Sequence, residues 1–311
     1  MKVLFLVASV WACVAAAQPW PSKPVQLWHG FAAGANPDII ARTLQPALGE
    51  RLGQPVVIDT KPGAGGRIAT AFVAKQPPDG YSLIMLTGGD SVMAATVNDL
   101  PYDLLRDFAF VSTTTLFPFV LLVSSDAPYQ TLAQFIEDAK KRPGKLSYGH
   151  SGIASTLHLA GELLKEQTGI DMLHVPYRGT QVQELAAGRI DMAVSTPTAA
   201  MPLIKAGRVR VLAVTSAKRD PSFPDVPAVD ESVPGYEVTS WLGLAAPART
   251  SQAIVDKLSA EVRAVLARED VAARVRATGA EPVAMTGAEF RARVESDIAK
   301  WRRLAAKISL Q

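Results

Sequence analysis

Two strand-to-helix units near the start of the chain indicate the fold class: residues 25–44 read VQLWHGFAAGANPDIIARTL, and residues 56–73 read VVIDTKPGAGGRIATAFV. Each unit begins with a short β-rich run and continues through a loop of small residues into an amphipathic helical stretch. A third β-rich run follows at residues 82–87. Because repeated strand–helix units place their strands side by side, this order predicts a parallel, doubly wound α/β sheet.

The same alternation continues along the chain and predicts a second α/β lobe. Its strands are expected at residues 120–123, 146–148, 172–176, 192–195 and 209–215. We expect a two-lobed α/β protein with two crossovers, in which each lobe is a mostly parallel sheet flanked by helices. Lobe one is predicted to hold residues 18–118 and 237–311, and lobe two residues 119–236. The second crossover could equally lie near Thr215.

Within the first helix, local signals predict its start and an irregularity. Asn36 is a favourable N-cap residue, and Pro37 suits the first helical position. Pro46 lies further along the same stretch. Because proline lacks a backbone N–H, it is expected to kink the helix or split it.

The N-terminus has the three-part pattern of a secretory signal peptide, with Lys2, an apolar run at residues 3–14, and small residues up to Ala17. We predict cleavage after about Ala17 and a periplasmic mature protein. A buried N-terminal helix and a lipoprotein modified at Cys13 are the alternatives. Cys13 is the only cysteine, so cleavage at Ala17 leaves no disulfide and no cysteine ligand for a metal.

Composition narrows the functional classes. The chain has 311 residues, of which 48% are hydrophobic and 20% charged, which is ordinary globular usage. The formal net charge is +3, and removal of Lys2 leaves 3 − 1 = +2. No block of five like charges stands in the sequence, so nucleic-acid binding is not expected. No apolar run of 18 residues follows the N-terminal one, so we expect a soluble mature protein.

Four strand-to-helix loops contain small or polar residues, at positions 34–36, 63–66, 151–155 and 178–180. In a two-lobed α/β protein the loops at the carboxyl ends of the strands face the crevice. Backbone N–H groups at helix starts favour negative charge there. Hydroxyls at Ser151, Ser155 and Thr156 and the charge of Arg178 add donors. We therefore expect an anion site, suited to a ligand with a carboxylate at each end.

Motifs for chemistry are incomplete. The turn at 63–66 lacks the third glycine of a dinucleotide loop, because Ile68 stands there, and it lacks the Gly-Lys of a P-loop. The turn at 149–152 resembles a nucleophile elbow, but Ile153 replaces its last glycine. We predict no catalytic residue, no cofactor and no metal. The histidines have no metal-binding spacing, and each is interpreted as structural: His29, His150, His158 and His174.

A series of short segments runs in order through nearly the whole mature chain: residues 20–24, 31–42, 52–57, 61–66, 78–81, 100–103, 143–149, 158–162, 174–179, 204–207, 212–216, 224–227, 241 and 246–248. Together they resemble the substrate-binding receptors of the tripartite tricarboxylate transporters, also called Bug receptors. The resemblance implies a type II periplasmic binding protein of the Venus flytrap kind. It also implies a small carboxylate ligand, held partly through ordered waters by the first two loops of lobe one.

The resemblance and the loop positions together give the predicted ligand-binding residues: Phe31, Gly34, Ala35, Asn36, Asp38, Gly63, Ala64, Gly65, Gly66, Ser151, Ser155, Thr156, Tyr177, Arg178 and Gly179. Other roles stay open for three of them: Asp38 at the helix dipole, Tyr177 in the core, and Arg178 in a surface ion pair. The chain departs from the family pattern at residues 28–29, 32–35 and 88–99, which leaves the identity of the ligand open.

These expectations combine into one function. The protein is predicted to be a monomeric, non-enzymatic receptor that captures a small carboxylate, such as a di- or tricarboxylate or an aromatic acid, between its lobes. It would deliver the ligand to the membrane subunits of a tripartite transporter. The alternatives are an orphan receptor that signals to a sensor kinase and a periplasmic hydrolase that uses Ser151.

Overall fold

The computed structural model describes residues 20–177 and 181–308, and in them two β-sheets are each flanked by helices. The predicted signal peptide, residues 1–17, and the predicted ligand residues Arg178 and Gly179 lie outside the described residues. The first sheet has the strand order β11-β4-β10-β3-β1-β2, and the second has the order β7-β6-β8-β5-β9. The strands are β1 Val25–His29, β2 Val56–Thr60, β3 Ser82–Thr87, β4 Phe108–Pro118, β5 Val120–Ser124, β6 Leu146–His150, β7 Met172–Pro176, β8 Met192–Ser195, β9 Val209–Val214, β10 Thr239–Pro247 and β11 Glu281–Pro282.

The α-helices follow the strands in the predicted alternation. They are α1 Asn36–Leu52, α2 Arg67–Val73, α3 Gly88–Thr96, α4 Leu132–Lys141, α5 Thr156–Thr168, α6 Gln181–Ala186, α7 Pro197–Lys205, α8 Gln252–Leu266, α9 Glu269–Arg276 and α10 Gly287–Ala305. Short 3-10 turns occupy Ala64–Gly66 and Val229–Glu231. No helix in the described part of the chain is both long enough and apolar enough to cross a membrane.

Both sheets are mixed, which corrects the prediction that each is mostly parallel. Strand β1 is parallel to β2 and β3, and β6 is parallel to β7 and β8. In contrast, β10 is antiparallel to β3 and β4, β11 to β4, and β5 to β8 and β9. A parallel pair needs a helical crossover between its strands. Strands β5 and β10 each enter their sheet from a strand of the other sheet, not through a crossover helix from a neighbouring strand, and both run antiparallel to their neighbours.

The two passages between the sheets lie side by side. The first is at Phe119, between β4 and β5, and the second follows β9. Thr215 joins them, because its hydroxyl accepts from the Phe119 N–H at 2.7 Å and its carbonyl accepts from the Val238 N–H at 2.7 Å. The predicted lobe boundaries, 118/119 and 236/237, remain a proposal, which the sheet membership of these strands supports.

The structure contradicts the predicted N-cap of the first helix and the predicted split of that helix at Pro46. Helix α1 has Ala35, with no side-chain hydrogen bond, as its N-cap instead of Asn36. The Asn36 side chain is engaged elsewhere, 2.9 Å from the hydroxyl of Thr198 in the other lobe. Pro46 lies inside a single continuous helix and does not split it.

The C-terminal helix completes the core of the first lobe. Phe290, Val294 and Trp301 of α10 are buried. The Phe290 ring meets the fully buried Trp241 of β10 edge-on at 4.8 Å. The Trp241 indole N–H donates to the Asp297 carboxylate at 2.8 Å, so the only polar atom of that ring is satisfied inside the core.

Candidate ligand-binding cleft

The loops at the carboxyl ends of the parallel strands meet between the lobes. The Thr198 hydroxyl, in the first turn of α7, lies 2.9 Å from Asn36 Oδ1 and 3.0 Å from the Thr278 carbonyl oxygen. Asn36 and Thr198 are both buried. Helix α3 of the first lobe contacts α5 of the second. The lobes are therefore closed on each other, with the strand-to-helix loops on the inner edges.

The Asp38 side chain holds the β1–α1 loop in place through hydrogen bonds. Its carboxylate accepts from the Gly34 N–H at 2.9 Å and from Arg42 Nε at 2.9 and 3.0 Å, and His29 Nε2 lies 3.2 Å away. Burial opposes ionisation, but the bonds from Arg42 and Gly34 hold the pKa of Asp38 below its usual range. Burial also lowers the pKa of His29, so that ring is neutral at pH 7. This geometry gives Asp38 a role in shaping the loop.

The first two loops of lobe one lie backbone against backbone. A Cβ placed on Gly30 would be 2.2 Å from Gly66 Cα, and one on Gly66 would be 3.3 Å from the Phe31 ring. Gly66 also has a φ of 104°, where side chains are rarely accommodated. Sequence reasoning selected Gly66 and Phe31 and missed Gly30, whose requirement for glycine arises from a tertiary contact.

Both loops present backbone N–H groups. The N-caps of α1 and of the 3-10 turn, Ala35 and Gly63, make no side-chain cap. The first N–H groups of a helix have no partner within that helix, so such a start is suited to an anion. Within the described residues, two non-glycine residues have a left-handed backbone: Ala64 in the first lobe and Ala154 in the second. Strain of this kind is often found at ligand-binding loops.

The β6–α5 loop of the second lobe carries the predicted hydroxyl groups. Ser155 is the N-cap of α5 and accepts from the His158 N–H at 3.1 Å, so its side chain is already engaged. Thr156 is buried, and Ser151 is half-buried. No hydrogen bond joins the Ser151 hydroxyl to a histidine in residues 20–177 and 181–308. Tyr177 is anchored beside this loop, since its N–H donates to the His150 carbonyl at 2.8 Å.

Each lobe also contributes a third loop, which sequence reasoning missed. The hydroxyls of Ser91 in α3 and Ser195 at the end of β8 are buried without a hydrogen-bond partner among the described residues. The same is true of Gln181 Oε1, which belongs to the start of α6 after the predicted loop at 178–180. Buried polar atoms are usually satisfied, so these atoms are available to a ligand or water. Ser195 is the last residue of the predicted strand 192–195, and Ser91 lies four residues after the predicted strand 82–87, so the rule used for the other loops would have found these two serines.

The segment that follows β3 contains a carboxyl group of its own, that of Asp90 in α3. The Asp90 carboxylate accepts from the Thr70 hydroxyl and from the Thr87 N–H, each at 2.8 Å. Burial raises the pKa of Asp90, although these bonds oppose the shift. Asp90 therefore holds α2 and α3 against the end of β3, as Asp38 holds the first loop.

Comparison with known proteins decides the family. Residues 40–310 match the model of the "Tripartite tricarboxylate transporter family receptor". The chain belongs to this family. It is 30% identical to Protein BugT of Bordetella pertussis over 96% of this chain and 93% of that protein. The Bug resemblance seen in the sequence is thus confirmed.

Two solved structures similar to this chain contain dicarboxylates. "R. palustris Rpa4515 with adipate" is 37% identical with a TM-score of 0.88, and the match covers 92% of this chain and 97% of that one. MatC from Rhodopseudomonas palustris with bound malate is 31% identical with a TM-score of 0.84, covering 92% and 99%. These similarities confirm the two-lobed periplasmic-binding-protein fold, and the family is one of solute-binding receptors.

Proposed function

We propose that this protein is a periplasmic receptor that captures a small dicarboxylate between its lobes and does not transform it. The observation that carries the proposal is the pair of loops of lobe one at residues 31–38 and 63–66, which consist mostly of small residues and lead into helical turns without a side-chain cap. Their N–H groups lie at the inner edge of a closed cleft. In such a place desolvated donors favour a carboxylate over a neutral group.

The second lobe supplies the other end of the site. One carboxylate would accept from N–H groups of residues 31–38 and 63–66 that are not already bonded within the protein, which excludes those of Phe31, Gly34, Ala35 and Gly66. The other would face residues 151–156 and Tyr177, while Arg178 and Gly179 stay predicted ligand residues on the sequence alone. The two similar structures that contain adipate and malate support a ligand with two carboxylates. The departures at residues 32–35 bear on which dicarboxylate fits.

Binding without catalysis is supported by what surrounds Ser151. A serine nucleophile needs a base within hydrogen-bond reach. The nearest histidine in sequence, His150, has its Nδ1 2.9 Å from the Gly152 carbonyl oxygen instead. A receptor needs only hydrogen-bond donors for its ligand and two lobes that close around it.

Membership of the receptor family supports a tripartite transporter as the membrane partner. The closed, loaded receptor would dock on the membrane subunits of a tripartite transporter, because closure is the state that reports occupancy. We propose that it acts there as a monomer, in the periplasm, after removal of residues 1–17.

The test is thermal unfolding of residues 18–311, refolded to remove any ligand carried through purification. The panel is adipate, malate, a tricarboxylate, an aromatic acid and adipamide. At about 100 times its dissociation constant, a ligand adds about 2.7 kcal/mol of stability, which raises the midpoint by a few degrees. We expect a shift with a dicarboxylate and none with its diamide. Equal shifts with acid and amide, or no shift with any acid, would overturn the proposal.

A further inference from the structure

Three histidines from three elements of the second lobe converge beneath the β6–α5 loop. His150 ends β6, His174 lies within β7, and His158 is in the first turn of α5. His150 Nε2 and His174 Nδ1 are 3.3 Å apart. The His158 ring centroid lies 4.4 Å from that of His150 and 4.9 Å from that of His174. Each ring offers one nitrogen as a ligand atom, and these three nitrogens lie within 4.8 Å of one another.

Two rings of the cluster, His150 and His158, are neutral at pH 7 because burial opposes their protonation. Burial lowers the pKa of His150 to about 3 and that of His158 to about 4. His150 Nδ1 lies 2.9 Å from the Gly152 carbonyl oxygen and farther, 3.2 Å, from the Gly152 N–H. In the tautomer with its proton on Nδ1, His150 donates to this carbonyl and its Nε2 lone pair is directed at His174. A histidine ligand commonly donates its other N–H to a backbone carbonyl in this way.

A second, independent feature is an unsatisfied atom in the same cluster. His158 is fully buried, and its Nε2 has no hydrogen-bond partner among the described residues. The nearest acid, Glu162, has its Oε1 4.0 Å away. That oxygen already accepts from the Tyr148 hydroxyl at 2.7 Å and from Lys165 Nζ at 3.0 Å. The other nitrogen of this ring, Nδ1, accepts from the Ala154 N–H at 3.3 Å, so Nε2 is the atom of His158 that is available to a ligand.

We propose that His150, His158 and His174 bind a divalent transition-metal ion of the zinc type. Two nitrogens that are each about 2.1 Å from a tetrahedral zinc ion lie about 3.4 Å apart, which matches the His150–His174 separation. Imidazole is a preferred ligand of zinc, and three histidines leave one coordination position for water. His174 is half-buried, which gives the ion a path from solvent. The ion would tie β6, β7 and α5 together below the loop at residues 151–156.

Sequence reasoning predicted no metal, because no two histidines have metal-binding spacing. Three separate elements supply the ligands, so only the fold brings them together. The predicted absence of a metal is thus replaced by this proposal. Metal binding is independent of the carboxylate proposal, since either can fail alone.

The test uses tag-free protein treated with a chelator and then titrated with Zn²⁺ by calorimetry and with Co²⁺ by visible absorption, without any carboxylate. We expect one equivalent of Zn²⁺ and the absorption bands of tetrahedral Co²⁺. His174→Gln should lose the bound equivalent, whereas His29→Gln, outside the cluster, should keep it. Circular dichroism should be used to check that each variant is folded.

Two further measurements keep the test decisive if His174→Gln does not fold. Zn²⁺ should raise the unfolding midpoint of the unaltered protein, and Mg²⁺ should not. His158→Gln should abolish that difference. Absence of a Zn²⁺ equivalent in the unaltered protein, or full binding by a folded His174→Gln, would overturn the proposal.

Discussion

Replacing Gly30 by alanine should separate the two loops that form the first half of the cleft. The added Cβ would lie 2.2 Å from Gly66 Cα and 2.7 Å from the Gly66 carbonyl oxygen. Carbon atoms in contact are normally about 3.5–4.0 Å apart, so the backbones must move apart by more than about 1.3 Å. Overpacking of this kind costs about 1–3 kcal/mol of stability.

The same displacement should weaken ligand binding. It moves the N–H groups of residues 63–66 away from the carboxylate they are proposed to hold. Loss of one hydrogen bond to a charged group is worth about 1.5–3 kcal/mol, which corresponds to an affinity loss on the order of 10- to 100-fold. Urea unfolding measures the stability change, and calorimetry with the dicarboxylate selected by thermal shift measures the affinity change.

The matched control is Gly49→Ala. Its Cβ would have its nearest neighbour at 3.4 Å, and the position lies inside α1. Alanine there should leave binding unchanged and stability equal or higher by up to about 1 kcal/mol. If Gly30→Ala bound the ligand as tightly as the unaltered protein, the two loops would not form one carboxylate site.

Three more predictions follow from other contacts. Thr198→Val removes the hydroxyl that bonds to buried Asn36 in the closed state, at a cost of about 1 kcal/mol. Calorimetry should therefore show ligand affinity about fivefold weaker, because binding requires the closed state. Unchanged affinity would exclude a role of this bond in closure. The pKa of buried His29 is lowered from 6.5, so below pH 6.5 the unfolded chain binds a proton that the folded protein lacks. The free energy of unfolding should therefore decrease as the pH falls, by at most about 1.4 kcal/mol per pH unit from this group. In urea titrations between pH 7 and 5, the decrease should be shallower for His29→Gln. An equal decrease in the variant and the unaltered protein would contradict this. Trp241→Phe should cost about 1–3 kcal/mol in urea unfolding, because it removes a buried donor to Asp297; a loss below 0.5 kcal/mol, on the order of a surface change, would show that the bond contributes little.

The strand-to-helix units were predictable because each carries its own local signal. Strands β3, β7 and β8 begin and end at the predicted residues, and the glycine turn at 63–66 lies where a loop was expected. Small residues between a β-rich run and an amphipathic helix are sufficient to indicate such a unit.

Strand β4 was not predicted because its sequence, FAFVSTTTLFP, carries no alternation of polar and apolar residues. Its four central residues, Ser112 to Thr115, are all fully buried. Tertiary partners allow this, since the hydroxyls of Ser112 and Thr113 donate to the carbonyls of Met285 and Val283. Those partners lie more than 160 residues away in the chain, so no local pattern could reveal them.

The same reason explains what was missed in the cleft. The Asn36 side chain was expected to cap its own helix, but its partner Thr198 is 162 positions away. The three histidines of lobe two have no metal-binding spacing in the sequence. They form a cluster only because β6, β7 and α5 pack together. Contacts between lobes and between elements therefore set the limits of the sequence-based account.

Backbone amide shifts measured by NMR on adding the dicarboxylate selected by thermal shift test the central claim most directly. The account predicts the largest shifts at residues 63–66 of the first lobe and 151–156 of the second, saturating together at one equivalent. Shifts confined to one lobe, or absent from the glycine turn at 63–66, would contradict capture of a carboxylate between the lobes.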